Sequence, residues 1–157
     1  MIEPDMKERI LCHMSKTTVY SLADVRTVMY HQDVGQCVLS SQGAGKISIT
    51  YSGDISSHTA TADGYVVVNR LRNNHGIVTI EVPQNSSADE YLRRWARYLK
   101  NAQSYLFALT ALNIVDQMGG FTIYCEGVTP QKIPERAYDL TSGNVSWTLL
   151  VANISEG

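Results

Sequence analysis

Four histidines, three cysteines and one glycine-flanked lysine are the residues of this chain whose types could do chemistry. His13, His31, His58 and His75 are scattered, and none has a second ligand at the spacing a metal site needs. A nucleophile, base and orienting acid assemble in space, so spacing alone picks out no triad. His75 follows Asn73-Asn74 and precedes Gly76, a turn composition that suits a tight loop better than catalysis. Cys12, Cys37 and Cys125 are an odd count with no close pair. That excludes a disulfide framework or a zinc motif and points to three reduced thiols in a cytosolic protein. Gly43-Ala44-Gly45-Lys46 invites a phosphate-loop reading that fails on its parts. The loop needs Gly where Ser40 stands and Ser or Thr where Ile47 stands, and it must open a helix. Here the lysine opens a strand pattern. Neither catalysis nor metal or cofactor binding is expected.

The elements around these residues say more. From residue 46 to 52, Ile47, Ile49 and Tyr51 alternate with Ser48, Thr50 and Ser52, the period of a half-buried strand. Gly53-Asp54, Asp63-Gly64 and Asn73-Asn74-His75-Gly76 are turn signals. They separate further strands over about 56–62, 65–71 and 77–82, predicting a four-stranded antiparallel meander. Pro83 ends it, and Ser87 with Glu90 three residues on predicts a capping box opening a helix. In that helix, to about residue 102, Ala88, Leu92, Trp95, Leu99 and Ala102 form one apolar stripe flanked by Tyr91 and Tyr98. Asp89 and Glu90 sit in its first turn, and Arg93, Arg94, Arg97 and Lys100 crowd its later turns, matching the helix dipole. The pairs Glu90–Arg94 and Asp89–Arg93 have the i,i+4 spacing of weak surface ion pairs. The basic residues form either a merely solvated face or a docking face for an acidic partner.

Before the meander, residues 19–30 carry a pattern that helix and strand can both claim. After the helix, Gly119-Gly120 predicts a tight hairpin turn returning into a strand over 121–126, where Phe121, Ile123 and Cys125 alternate with polar residues. Residues 127–134 read as irregular, and 144–154 as a long closing strand with Trp147 in the core.

The four short strands, Asp63-Gly64, Asn74-His75-Gly76 before a T-I-x-V strand, and Ser87 with its amphipathic helix together resemble the tail tube proteins of contractile-tailed bacteriophages. The resemblance to this myophage structural protein family spans roughly residues 20–154. It implies a protein that is not an enzyme, forms hexameric rings and stacks them into a hollow tube for the genome. It also favours strands over about 25–31, 36–40 and 110–116. The implied location is the virion tail after synthesis in the host cytoplasm. The implied partners are other copies of the chain, the tail sheath, tape-measure and baseplate proteins, and transiently passing DNA, with no membrane.

Size and charge agree with that expectation. The 157 residues suit one domain, 44% hydrophobic and 18% charged, with residues 1–18 either a frayed end or an arm ordered by a neighbouring subunit. A net charge of −2 argues against tight general binding to phosphate backbones. No run approaches the roughly 18 apolar residues of a membrane span, and the Asn-x-Ser sequons at Asn85, Asn144 and Asn153 lack a secretion signal.

The expected fold is mainly β with one principal helix (α+β), a β-sandwich or partly open barrel like that of tail tube proteins. Alternation and the resemblance together make Ser48, Thr50, Ser52, Thr59, Thr61, Thr79 and Glu81 candidates for a pore lining. Arg93, Arg94, Arg97 and Lys100 become a candidate sheath-facing face, and Ile47, Ile49, Ile80, Leu92, Trp95, Leu99 and Trp147 the expected core. Two alternatives share these features: the inner tube of a contractile injection or secretion device, and a small β-sandwich binding module.

Overall fold

The computed structural model describes residues 24–39, 45–138, 140 and 143–157. The proposed N-terminal arm, Cys12, His13 and most of the link before Lys46 lie outside them.

Nine strands and two helices follow one another along the described chain. They are β1 (Val25–His31), β2 (Gly35–Val38), β3 (Lys46–Tyr51), β4 (Ser56–Ala60), β5 (Val66–Arg70), β6 (Gly76–Pro83), α1 (Ser87–Asn101), α2 (Ser104–Phe107), β7 (Thr110–Asp116), β8 (Phe121–Pro130) and β9 (Asn144–Glu156). Among the described residues, seven strands form one antiparallel sheet in the order β2-β1-β7-β8-β9-β6-β3, which does not close into a barrel. Strands β4 and β5 pair with each other as a separate two-stranded sheet.

The four-stranded meander is therefore corrected. β3 skips the next two strands and pairs directly with β6, Ile47 opposite Ile80 and Ser48 opposite Thr79. The reason lies in what each strand can bury. β6 alternates perfectly, with Val78, Ile80 and Val82 buried, and its core face is completed by β3 on one side and β9 on the other. Ser56-Ser57-His58-Thr59-Ala60 offers no apolar face to a core, so β4 and β5 are extruded as a hairpin. The Gly53-Asp54 and Asn73–Gly76 signals form the hairpin's base rather than two sheet turns: Ser52 N–H donates to the His75 carbonyl at 3.1 Å and Leu71 N–H to that of Ile55 at 2.8 Å.

Helix α1 begins one residue earlier than the predicted capping box. Its N-cap is Ser86, whose Oγ accepts from Asp89 N–H at 3.2 Å, and Asp89 Oδ2 in turn accepts from Asn85 N–H at 3.3 Å. Asp89, not Glu90, thus reaches back from the first turn, and it does so to the residue before the cap, while Ser86 N–H donates to the Pro83 carbonyl. Along the helix Leu92, Trp95 and Leu99 are buried, and Trp95 Nε1 donates to Thr110 Oγ1 at 2.8 Å. The helix touches both β2 and β6, nearly at opposite ends of the sheet order, so the sheet curls round it without closing.

Two further boundaries differ from expectation. The β7–β8 connection is a four-residue loop, because Asp116 pairs with Phe121 and its Oδ1 accepts from the N–H groups of Met118 and Gly119. Strand β8 runs on to Pro130 through residues expected to be irregular. Gly127, at φ +66, makes this possible: it is the extra residue of a bulge against β7, and a Cβ there would sit 2.7 Å from that of Ala152. Both Cys125 and Val128 can then point into the core across the bulge.

Candidate channel and assembly surfaces

Pleating sends alternate residues to opposite faces, and cross-strand partners share a face. On the core side lie Ile80 and Trp147, both fully buried, with Ile47 and Ile49 half-buried because their strand is the last in the sheet. On the open side three rows run across β3, β6 and β9. They are Lys46–Glu81–Ser146, Ser48–Thr79–Thr148 and Thr50–Ile77–Leu150. Lys46, Ser48, Thr79, Glu81 and Ser146 line a shallow depression of about 260 Å³. Ser146 Oγ lies 3.5 Å from Glu81 Oε1.

Of the seven pore-lining candidates, Ser48, Thr50, Thr79 and Glu81 come together on this face. Ser52 lies just past the end of β3. Thr59 and Thr61 do not join them: Thr59 is in β4 and Thr61 at the tip of the extruded hairpin, where Thr61 Oγ1 donates to the Tyr65 carbonyl at 3.0 Å. Lys46, Ser146 and Thr148 were missed. For Ser146 and Thr148 the signal was present in the polar positions on either side of Trp147, but only the β6–β9 pairing puts them beside Thr79 and Glu81; Lys46 stands opposite Glu81 through the β3–β6 pairing.

The basic residues of α1 divide in two. Arg94, Arg97 and Lys100 are exposed, on the side of the sheet opposite the open face, and the Arg94 guanidinium lies 5.6 Å from the Tyr91 ring centre. Arg93 leaves that surface and is a correction to the proposed basic face. One helical step of about 100° turns it inward. It is buried, donates from Nε to Asp89 Oδ2 at 3.2 Å and lies 5.7 Å from the Trp147 ring centre. Asp89 is fully buried, accepts from Trp147 Nε1 at 3.1 Å, and has Arg136 Nη2 at 3.8 Å. The pair that looked like a surface contact is thus a buried node joining helix, sheet and the segment before β9.

Among the described residues no group of His, Cys, Asp and Glu could hold a metal ion. His31 is fully buried and held by backbone: Nε2–H donates to the Leu106 carbonyl at 3.0 Å, and Nδ1 accepts from Asp33 N–H at 3.1 Å. Cys125 is fully buried, and desolvation pushes its thiol up to about 11; Cys37 is raised for the same reason. A thiol held protonated is a poor nucleophile. Burial likewise lifts the Tyr91 phenol to about 12, where its O–H donates to the Gly35 carbonyl at 2.7 Å. Tyr51 is raised to about 12 chiefly by its hydrogen bond to Glu156, which ties the edge strand β3 to the end of β9. These shifts mark packing.

Among the described residues the sheet ends in β2 on one side and β3 on the other. The chain also has an exposed hairpin carrying Tyr65, Val66, Val67 and Val68, and exposed Tyr105, Phe107 and Leu109 around α2.

No curated protein matches the chain. Solved structures show the same fold at low identity. One is in a sheath-tube complex of the PVC extracellular contractile injection system in its extended state (13% identity, 95% of this chain and 96% of that one, TM-score 0.58). Others are in the sheath/tube terminator of that system (10%, 91% and 99%, TM-score 0.59) and the tube-terminating cap of the anti-feeding prophage (10%, 92% and 98%, TM-score 0.53). A family model described as bacteriophage PhiTE tail tube protein matches residues 17–157, nearly the whole chain, and the protein belongs to that tail tube family.

Proposed function

We propose that copies of this tail tube protein close into hexameric rings, that the rings stack into a hollow tube, and that phage DNA passes through it. The observation that carries this is the seven-stranded sheet itself: one face is filled by α1, the other is open, and among the described strands it ends in β2 and β3 without closing. A curved open sheet removes its edges by joining the next copy's sheet, and head-to-tail contacts of that kind close into rings. Because α1 covers the opposite face, the open face with Ser48, Thr50, Thr79 and Glu81 is the one turned to the channel. In that arrangement Arg94, Arg97 and Lys100 face outward, where a tail sheath would lie.

The chemistry of the open face suits a sliding polyanion. Each cation that neutralises a phosphate adds counterion-release affinity and slows passage. Lys46 stands directly opposite Glu81 in the sheet register, and the neighbouring positions are mostly hydroxyl side chains. A tape-measure protein would occupy the same channel before DNA, and the baseplate would cap its end, in a particle assembled within the host cytoplasm. Electron microscopy of the purified protein is expected to show sixfold rings and tubes of stacked rings. A protein that stays monomeric at every concentration overturns the proposal.

A further inference from the structure

Around Asp89 the charges and the hydrogen bonds do not balance. Its Oδ2 accepts from Arg93 Nε at 3.2 Å and from Asn85 N–H at 3.3 Å, and its Oδ1 from Trp147 Nε1 at 3.1 Å. Arg136 Nη2 stands 3.8 Å from Oδ2, too far for a hydrogen bond. Among the described residues, Asp89 is the one ion-pair partner of either arginine. Glu90, next in the chain, is exposed. Two guanidinium groups thus share one carboxylate, and a positive charge is left over in a largely buried place. Arg93 is 7% exposed, and a buried surplus charge of this kind is costly.

The leftover donors lie on the matching edges of the two groups. Nε and Nη2 form one edge of a guanidinium, the edge that carboxylates and phosphates take with two oxygens. Arg93 turns Nε of that edge to Asp89, and its Nη2 is buried without a hydrogen-bond partner. Arg136 turns Nη2 towards the same oxygen, and its Nε is buried without a partner. Buried donors left unpaired are rare in folded proteins. A water molecule satisfies donors but not charge, whereas an oxyanion satisfies both. The way in is at Arg136, whose side chain is 32% exposed and whose Nη1 donates to the exposed Tyr138 hydroxyl at 3.4 Å.

We propose that Arg93 and Arg136 form a binding site for one oxyanion, a carboxylate or a phosphate, beside the first turns of α1. Asp89 holds the two guanidinium groups together and opposes the anion, so their combined charge is what binds it. The site does not depend on the tube reading. Arg136 lies outside the strands and helices, so R136Q tests the site without cutting into the core. Thermal melts of parent, R136Q and R136K are compared in sodium phosphate, in tetraglutamate and in sodium chloride of equal ionic strength. General salt effects move all three proteins alike. Saturating phosphate or tetraglutamate is expected to raise the Tm of the parent by about 5 °C or more beyond the change in R136Q. R136K keeps the charge without the paired edge and is expected to lose most of that response. A response to phosphate alone identifies a free anion as the occupant, and a response to tetraglutamate identifies an acidic protein side chain. Equal responses of parent and R136Q to both probes overturn the proposal. A parental response in R136K overturns the paired-edge geometry, and it does so even where R136Q fails to melt cooperatively.

Discussion

Asp89 shows how far a side chain's value depends on its surroundings. As an i,i+4 surface pair with Arg93 it would contribute a few tenths of a kcal/mol. Buried, it accepts from Arg93, Trp147 and the Asn85 backbone, and Arg136 lies near it. Its removal leaves a buried guanidinium and an indole N–H without their acceptor. Asp89→Ala is therefore expected to cost about 3–5 kcal/mol in urea unfolding. Asp89→Asn, which keeps an oxygen for Trp147, should lose less. A loss below roughly 1 kcal/mol for the alanine variant would remove this node from the forces holding the helix to the sheet.

At the level of elements, α1 is the plug of the curled sheet. Trp95 is fully buried at its centre and hydrogen-bonds Thr110 at the start of β7. Trp95→Ala combines lost burial, a cavity and an unpaired hydroxyl, an expected cost of about 3–5 kcal/mol. Arg97→Ala, on the exposed side of the same helix, is expected to cost at most about 1 kcal/mol. Thermal and denaturant melts separate the two; equal effects would mean that the helix does not pack as described. The helix was legible because a 3.6-residue apolar period is a local property. Its exact cap was not, since Ser86 and Ser87 are adjacent candidates and only the chain's entry, with Asn85 at φ +64, selects between them.

Across the whole molecule, the prediction concerns the two faces of the sheet. Thr50 is exposed on the open face, while Ile80 is fully buried against the helix. In a ring, one added lysine is repeated around the pore. Thr50→Lys is expected to leave rings and tubes intact in micrographs while lowering delivery of the genome, because a circle of cations retains DNA. Ile80→Lys is expected to abolish soluble protein, since it buries an unpaired charge. Full genome delivery by a Thr50→Lys tube would take this face out of the channel.

Local patterns in the chain sufficed for the helix stripe and the polar alternation around Thr50 and Thr79; the strands at 25–31 and 110–116, whose own patterns were ambiguous, came from the likeness to tail tube proteins. The stripe and the alternation depend on residues within a turn or two of one another, where backbone periodicity and turn preference act. Pairing between distant strands is different in kind. Turn signals made 46–82 look like a meander, yet the core needs of β6 join it to β3 and to β9, more than sixty residues further on. That choice extrudes β4–β5, separates Thr59 and Thr61 from the channel candidates, and brings Ser146 and Thr148 to them. The inward turn of Arg93 follows from Asp89 and Trp147 meeting across the helix–sheet contact. Burial is a property of the packed whole, so the tertiary structure alone decided it.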